Sequence, residues 1–212
     1  MRFGASCTNP FSYLECTMQP LILASTSRYR AELLARLRLQ FEICAPDVAE
    51  VSLPGEAPAQ MAMRLALAKA RAVAQSKGRG LVIGSDQVAH CNGQVLGKPG
   101  SHGRALGQLR LMRGKTTYFD TAVALVNASS GHEQTALVTT AVRLRDASDA
   151  EIEAYLAAEQ PYDCAGSAKS EGLGIALMES IAGDDPTALI GLPLIALARM
   201  LRAENVTLFA TA

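Results

Sequence analysis

A few short stretches of this chain gather residues that could do chemistry. Leu21-Ile-Leu-Ala24 is an apolar run, Ser25-Thr26-Ser27 follows it, and Arg28 and Arg30 come directly after. A strand that turns through small hydroxyl residues into a helix leaves backbone N–H groups unpaired at the positive end of the helix dipole. That is a seat for an anion such as phosphate, and the two arginines add fixed positive charge beside it. The alternative is an ordinary serine N-cap with surface arginines. A second apolar run, Leu81-Val-Ile-Gly-Ser85, ends on Asp86-Gln87, and Gly97-Lys98-Pro99 lies beyond it. An acidic residue closing so apolar a strand suggests more than surface decoration; the alternative is a solvated strand-end aspartate. The third stretch is Cys164-Ala-Gly-Ser-Ala-Lys-Ser-Glu-Gly-Leu-Gly174. Lys169 there is either a phosphate contact or half of a surface ion pair, and Gly172 and Gly174 suggest close backbone approach or special φ angles. Cys164 reads as an inert buried thiol, because His90, His102 and His132 show no spacing that would support a nucleophile.

The Asn92-Gly93 pair marks a tight hairpin turn and supplies a geometric argument. A two-residue loop there places Lys98 across from Gln87 and Pro99 across from Asp86. The carboxylate and the ammonium then share one end of a ribbon, although strict alternation sends their side chains to opposite faces. Gly97 permits a bulge that would re-aim Lys98, and Pro99 ends the ladder. Glu50 lies in an irregular stretch, where a carboxylate is usually solvated. Lys69 sits on a helical pattern beside Met61, Leu65, Ala68 and Ala72, where a lysine usually snorkels to water.

The elements that must position these groups follow from periodicity and caps. Arg28 to about Leu39 reads as a helix with Ser27 as its N-cap, and Phe41-Glu-Ile-Cys44 as a short strand. After an irregular acidic stretch, Pro58 opens a long helix through about Lys77, with Gly78 just past its end. Leu81 to Ser85 is a strand, and Ser101 caps a helix ending at Gly114. Phe119 to Asn127 and Ala136 to Leu144 are β-rich runs joined by Ser129-Ser130-Gly131. Ser148-Asp-Ala-Glu151 is a capping box opening a helix to about Ala158, and Pro193 begins the last helix, to about Ala203. Strands, hairpins and helices so interleaved predict an α/β fold with a mixed sheet and no hard domain boundary.

Composition narrows the partners. Twenty basic and twenty acidic residues cancel, so no global field draws the chain onto nucleic acid or anionic lipid. Aromatic residues are 5% with no Trp, which argues against a base-stacking platform for a polymer. Among 212 residues no apolar run approaches a bilayer span. The five scattered cysteines suggest neither zinc nor a disulfide framework, so reduced thiols and a cytoplasmic location are expected. Residues 1–17 lack a signal-peptide core and read as a flexible extension or a misassigned start before Met18.

Taken in order, the serine turn, Glu50, Lys69, Asp86-Gln87, Gly97-Lys98-Pro99 and the Cys164–Gly174 stretch resemble the Maf family of nucleoside triphosphate pyrophosphatases, from about Leu21 to about Arg202. Gln87 and the Lys-Ser-Glu-Gly stretch resemble its 7-methyl-GTP branch. The resemblance implies a single Maf-like domain over 18–212. Its fold would be α/β, Maf/ITPase-like, with two lobes around a long mixed sheet and a central cleft. It also implies catalytic Glu50, Lys69, Asp86 and Lys98, with Glu50 and Asp86 holding Mg²⁺ or Mn²⁺. Ser25, Ser27, Arg30 and Lys169 would contact phosphates. Tyr29, Gln87 and Glu171 would choose the base: a cationic ring gains from an aromatic face, and guanine's donor pair suits a carboxylate. For Tyr29, simple packing on its helix is the alternative. Two departures stand out: Ala49 where relatives often carry a second acid, with Asp47 a partial substitute, and Arg28 where they often carry proline. The partner implied is a small nucleotide, not a polymer or a membrane, and a homodimer stays open. Rival readings are a dTTP/UTP pyrophosphatase and a nucleotide-binding regulator linked to septum formation with little turnover.

Overall fold

The computed structural model describes residues 19–209; the stretch read as an extension, 1–17, lies outside the described residues. A seven-stranded mixed sheet organises them, and its third strand is the spine. Strand β1 (Leu21–Leu23) pairs in parallel with β2 (Phe41–Ile43) on one side and β3 (Leu81–Cys91) on the other. Strand β3 pairs antiparallel with β4 (Gln94–Leu96) and β5 (Thr116–Asn127), β5 with β6 (Glu133–Leu144), and β6 with β7 (Met178–Ala182). Helices α1 (Arg28–Ala35), α2 (Pro58–Lys77), α3 (His102–Met112), α4 (Asp149–Glu159) and α5 (Leu194–Ala203) pack around it.

The decisive feature is how β3 spends its two edges. Strand β5 accompanies one edge along nearly the whole strand, from Leu81↔Asn127 to His90↔Tyr118. The other edge is shared. Strand β1 takes it as far as Leu23↔Ile83, and β4 takes it from Ala89↔Leu96 onward. Gly84 to Val88 have no strand on that edge, so the sheet opens there into a cleft between two lobes. Ligands in mixed and parallel α/β sheets collect at such a break, beyond the carboxyl ends of the parallel strands.

Alternation along β3 divides the packing. Val82, Gly84, Asp86 and Val88 face α2, where Ala62, Ala66, Ala70 and Val73 form one apolar layer with Ala122, Ala124 and Val126. Leu81 and Ile83 face the opposite layer, built with Leu33, Leu34, Leu197 and Leu201 of α1 and α5. Farther along, Ala89 and Cys91 join the second lobe's core with Leu109, Met112, Phe119, Ile152 and Leu156.

Four sequence readings need correction. The strand that begins at Leu81 does not end at Ser85 but runs eleven residues, so Asp86 sits in its middle. The polar run Ser85-Asp86-Gln87 imitates a strand end because its side chains face a cleft, while β5 still pairs every backbone group on the far edge. The hairpin turn at Asn92 (φ 50) and Gly93 (φ 78) has the expected handedness and register, yet its ladder stops at Leu96. The chain then peels away toward α3, with Gly97 O taken by Gln108 and Gly100 N–H by Tyr162 O, so Lys98 and Gln87 are not paired. Helix α1 also stops at Ala35, short of Leu39, and Ser101 makes no side-chain cap on α3. Helix α2 spans Pro58–Lys77 with Gly78 left-handed at φ 64, and the Ser148–Glu151 capping box opens α4, both as the sequence predicts.

Helix α2 can lie so close to β3 only because residue 84 is glycine. A Cβ there would fall 2.1 Å from Ala66 O and 2.8 Å from Ala70 N, inside hard contact with backbone. Gly84→Ala is therefore expected to lift α2 from the sheet and destabilise the protein by at least ~1–3 kcal/mol, a Tm loss of several degrees. A melting temperature within about a degree of the parent's would show that α2 does not depend on this contact.

Candidate functional site

The cleft is a cavity of about 820 Å³, in the range of small-molecule sites. Its wall carries Ser25, Ser27, Tyr29, Arg30, Glu50, Lys69, Asp86, Gln87, Lys98 and Glu171. Of the residues given catalytic or substrate-contact roles from the sequence, Lys169 alone is not on that wall.

One end of the cleft is the turn from β1 into α1. Ser25 Oγ accepts from Ser27 N–H at 3.1 Å and lies 3.4 Å from Arg30 Nη1. Ser27 is the N-cap, its side chain accepting from Arg30 N–H. The N–H groups of Arg28 and Tyr29, in the first turn, have no intrahelical acceptor and are available to an anion. Arg30 Nε donates to Gly191 O at 3.0 Å, which fixes the guanidinium beside the turn. Its pKa is lowered from the usual value, with burial the main cause and the charges of Asp86 and Glu50 opposing it.

Across from the turn, Lys69 descends from α2 with only 3% of its surface exposed. The snorkelling expected of a lysine beside an apolar stripe does not occur, because two carboxylates meet it underneath. Its Nζ lies 2.6 Å from Asp86 Oδ1 and 2.6 Å from Glu50 Oε1. Burial pushes the Asp86 carboxyl above the usual carboxylate range, and Lys69 and Arg30 only partly offset it. For Glu50 burial also acts upward, but Lys69, Lys98 and Arg30 together outweigh it and hold the pKa low. Lys69 engages Oδ1 of Asp86, and no hydrogen bond among the described residues engages Oδ2.

The same wall carries Tyr29, Gln87, Asp163, Cys164 and Glu171. Gln87 Nε2 donates toward Thr121 Oγ1 at 2.9 Å, Ala188 O at 3.1 Å and Leu189 O at 2.9 Å. Backbone carbonyls only accept, so the amide nitrogen must face them and Oε1 faces away. The sequence left Gln87 open as donor or acceptor; the geometry makes it an acceptor. Lys169 is committed elsewhere, its Nζ 2.5 Å from Glu159 Oε1. Of its two readings, the ion pair is the one present. Cys164 is half-buried, and burial together with the Asp163 charge pushes its thiol up to about 12, which leaves it protonated at neutral pH. Asp47, the possible substitute for an acid at Ala49, is exposed and not on the cavity wall.

Several supporting residues carried no signal of their own in the sequence. Tyr155 Oη donates to Ser167 O at 2.9 Å and accepts from Lys169 N–H at 3.1 Å, so α4 shapes the loop that bears Glu171. Glu159, one turn on, accepts from Leu173 N–H at 2.8 Å, and their shared helix face was the available clue. Gly174 is needed for the close approach its spacing suggested, since a Cβ would fall 2.5 Å from Lys169 O. Asp185 is buried and caps α5 through Ile195 N–H at 2.7 Å, and Thr187 O–H donates to Leu192 O at 2.8 Å. Together they set the loop whose carbonyls Gln87 holds.

A sheet opened beside a serine turn, with a carboxylate of raised pKa aimed into the gap, defines an α/β enzyme whose cleft receives an anionic small molecule. The particular lineage follows from comparison with known proteins. The chain belongs to the Maf family, described as Maf-like protein, which matches residues 20–204. It is 63% identical over 194 residues to a protein of Polaromonas sp. named 7-methyl-GTP pyrophosphatase, covering 92% of this chain and 89% of that one. Proteins of the same name from Albidiferax ferrireducens (60% identical, 91% and 96% covered) and Thiobacillus denitrificans (58%, 90% and 94%) are also similar. Among solved structures, the nucleoside-triphosphatase (dITP/XTP pyrophosphatase) of Mycobacterium abscessus aligns at a TM-score of 0.42 and 18% identity, over 88% of this chain and 97% of that one.

The raised Asp86 pKa has a direct check. A carbon-13 titration of its carboxyl in the free protein should give a midpoint above the ordinary 3.8. Lys69→Met should move it further up, because the ammonium favours the ionised form. A midpoint at or below the ordinary value, or a downward move in the variant, contradicts the arrangement described.

Proposed function

We propose that the protein hydrolyses 7-methyl-GTP to 7-methyl-GMP and pyrophosphate, acting on the free nucleotide in the cytoplasm. The observation that carries this reading is the pairing of buried Lys69 with Asp86 and Glu50 across the cleft from the serine turn. The names of the similar proteins support the choice of base.

In this reading the triphosphate lies against the first turn of α1, with Ser25, Ser27 and Arg30 on its oxygens and Lys98 closing from the other side. Anionic oxygens bound by backbone N–H groups and fixed cations are stabilised most where water is scarce, and charge builds on them as the phosphoanhydride breaks. Asp86 holds a water on Oδ2 and takes its proton as the water attacks phosphorus. Lys69 holds Asp86 ionised and fixes its orientation; a raised but unprotonated carboxylate is a better base than a free one. The bond between the α- and β-phosphates breaks, and pyrophosphate leaves.

Glu50 and Asp86 also suit a divalent cation of the Mg²⁺ or Mn²⁺ type. Their oxygens converge on one ammonium, and no group of three or more His, Cys, Asp or Glu side chains forms a metal cage among the described residues. Two carboxylates completed by phosphate oxygens and water is the habitual Mg²⁺ arrangement. Bound there, the cation would neutralise phosphate oxygens and acidify a water.

At the other end, the acceptor Oε1 of Gln87 and the carboxylate of Glu171 match the N1–H and exocyclic amine of guanine. The Tyr29 ring offers a face to a cationic 7-methylguanine.

Pyrophosphate release from 7-methyl-GTP, GTP, dTTP and UTP with Mg²⁺ or Mn²⁺ tests the whole reading. The parent should favour 7-methyl-GTP, and a preference for dTTP or UTP, or no turnover of any of them, would overturn it. Asp86→Asn should cost roughly a hundredfold or more in kcat at an unchanged fold. Activity within a few-fold of the parent's would remove Asp86 from the chemistry. Glu171→Gln should narrow the margin over UTP, by at least about tenfold if the carboxylate pairs with both donors. Equal ratios in parent and variant would place base recognition elsewhere.

A further inference from the structure

The backbone N–H of Arg28 belongs to the anion seat, whereas its side chain has no role in the site assembled above, yet Arg28 lines the same cavity. Its guanidinium carbon lies 4.7 Å from the centroid of the Tyr29 ring. Its Nη2 donates to Tyr29 Oη at 2.7 Å and stands 3.6 Å from Asp163 Oδ2. Tyr29 Oη is itself 3.3 Å from that carboxylate oxygen. Arg28 and Tyr29 belong to α1 in the first lobe, whereas Asp163 follows α4 in the second. The three side chains therefore meet across the mouth of the cleft.

Two of the groups that a positively charged base would seek there are already in use. The negative face of an aromatic ring attracts a cation, and Arg28 supplies one. The Asp163 carboxylate would add a second attraction, and Arg28 is its partner. A neutral guanine entering this end needs only stacking area and hydrogen-bond acceptors. A cationic one must either displace the guanidinium or lie close to a like charge.

We propose that Arg28 is a specificity-determining residue, which limits how strongly this end of the cavity prefers a cationic base over a neutral one. It does so by occupying the Tyr29 ring face and the Asp163 carboxylate. The proposal rests on the reading of the substrate as a 7-methylguanine nucleotide. Its consequence is directional: removing the Arg28 charge should raise discrimination, and removing the Asp163 charge should lower it.

The test compares kcat/KM for 7-methyl-GTP and for GTP in the parent, Arg28→Ala, Arg28→Gln and Asp163→Asn. Both Arg28 variants should raise the ratio roughly two- to fivefold, the range of an exposed cation–π contact. Asp163→Asn should lower it. The rise should shrink at high salt, since exposed charges are screened. Dissociation constants for 7-methyl-GMP and GMP give the same ratio without catalysis and separate a binding effect from a misplaced reacting phosphate. If the parent prefers 7-methyl-GTP but the Arg28 variants leave the ratio unchanged or lower it, this proposal falls and the substrate reading survives. If the parent does not act on 7-methyl-GTP, the substrate reading falls and takes the proposal with it.

Discussion

A buried lysine is the constraint around which this protein is arranged. Lys69 loses nearly all of its water, and a lone ammonium in that position would deprotonate or unfold its surroundings. Asp86 and Glu50 remove the problem, each at 2.6 Å, one from β3 and the other from the stretch that precedes α2. The pair is not primarily a stabilising device, because the desolvation of two charges consumes most of their attraction. Its value lies in geometry. Once Lys69 is fixed, one oxygen of Asp86 is engaged and the other is aimed, and the Glu50 loop is drawn to the edge of the cleft.

Everything needed to place Lys69 follows from close contact between α2 and β3. Gly84 permits the approach, and the alanines of α2 keep its inner face thin enough to lie on the strand. The same strand carries Ser85 and Gln87 on its opposite face, where they hold carbonyls of residues 188–191. Alternation along three consecutive residues thus serves two different structures, the charge cluster on one side and the loop beside Arg30 on the other. The cleft between them exists because β1 releases the edge of β3 before β4 takes it up.

The second lobe contributes shape more than charge. Tyr155 and Glu159 of α4 tie down the backbone of residues 167–173, and left-handed conformations at Gly166 (φ 68) and Ser167 (φ 57) turn it toward the cavity. Buried Asp185 performs the equivalent task for the loop before α5. These residues bear on the reaction only through the groups they position.

How much of this was legible in the sequence differs from residue to residue. The long helix from Pro58 to Gly78, the Asn92-Gly93 turn and the Ser148–Glu151 box are set by contacts within a few residues, so local chemistry determined them. The serine turn and its cap were legible for the same reason. Resemblance to a family brought Glu50 and Lys69 together with Asp86; spacing did not, and pattern alone would have left both in solvent, whereas the hairpin turn had already put Lys98 at the same end of a ribbon as Asp86. Tertiary structure decided the rest. It carried β3 through Asp86 because pairing with β5 outweighs a polar run, and it stopped the β4 ladder before Lys98 because Gln108 and Tyr162 capture the chain beyond it. It turned Gln87 into an acceptor, set Lys169 against Glu159, and seated Arg28 on Tyr29. All of these depend on partners many residues away, whose distance in space no periodicity in the chain encodes.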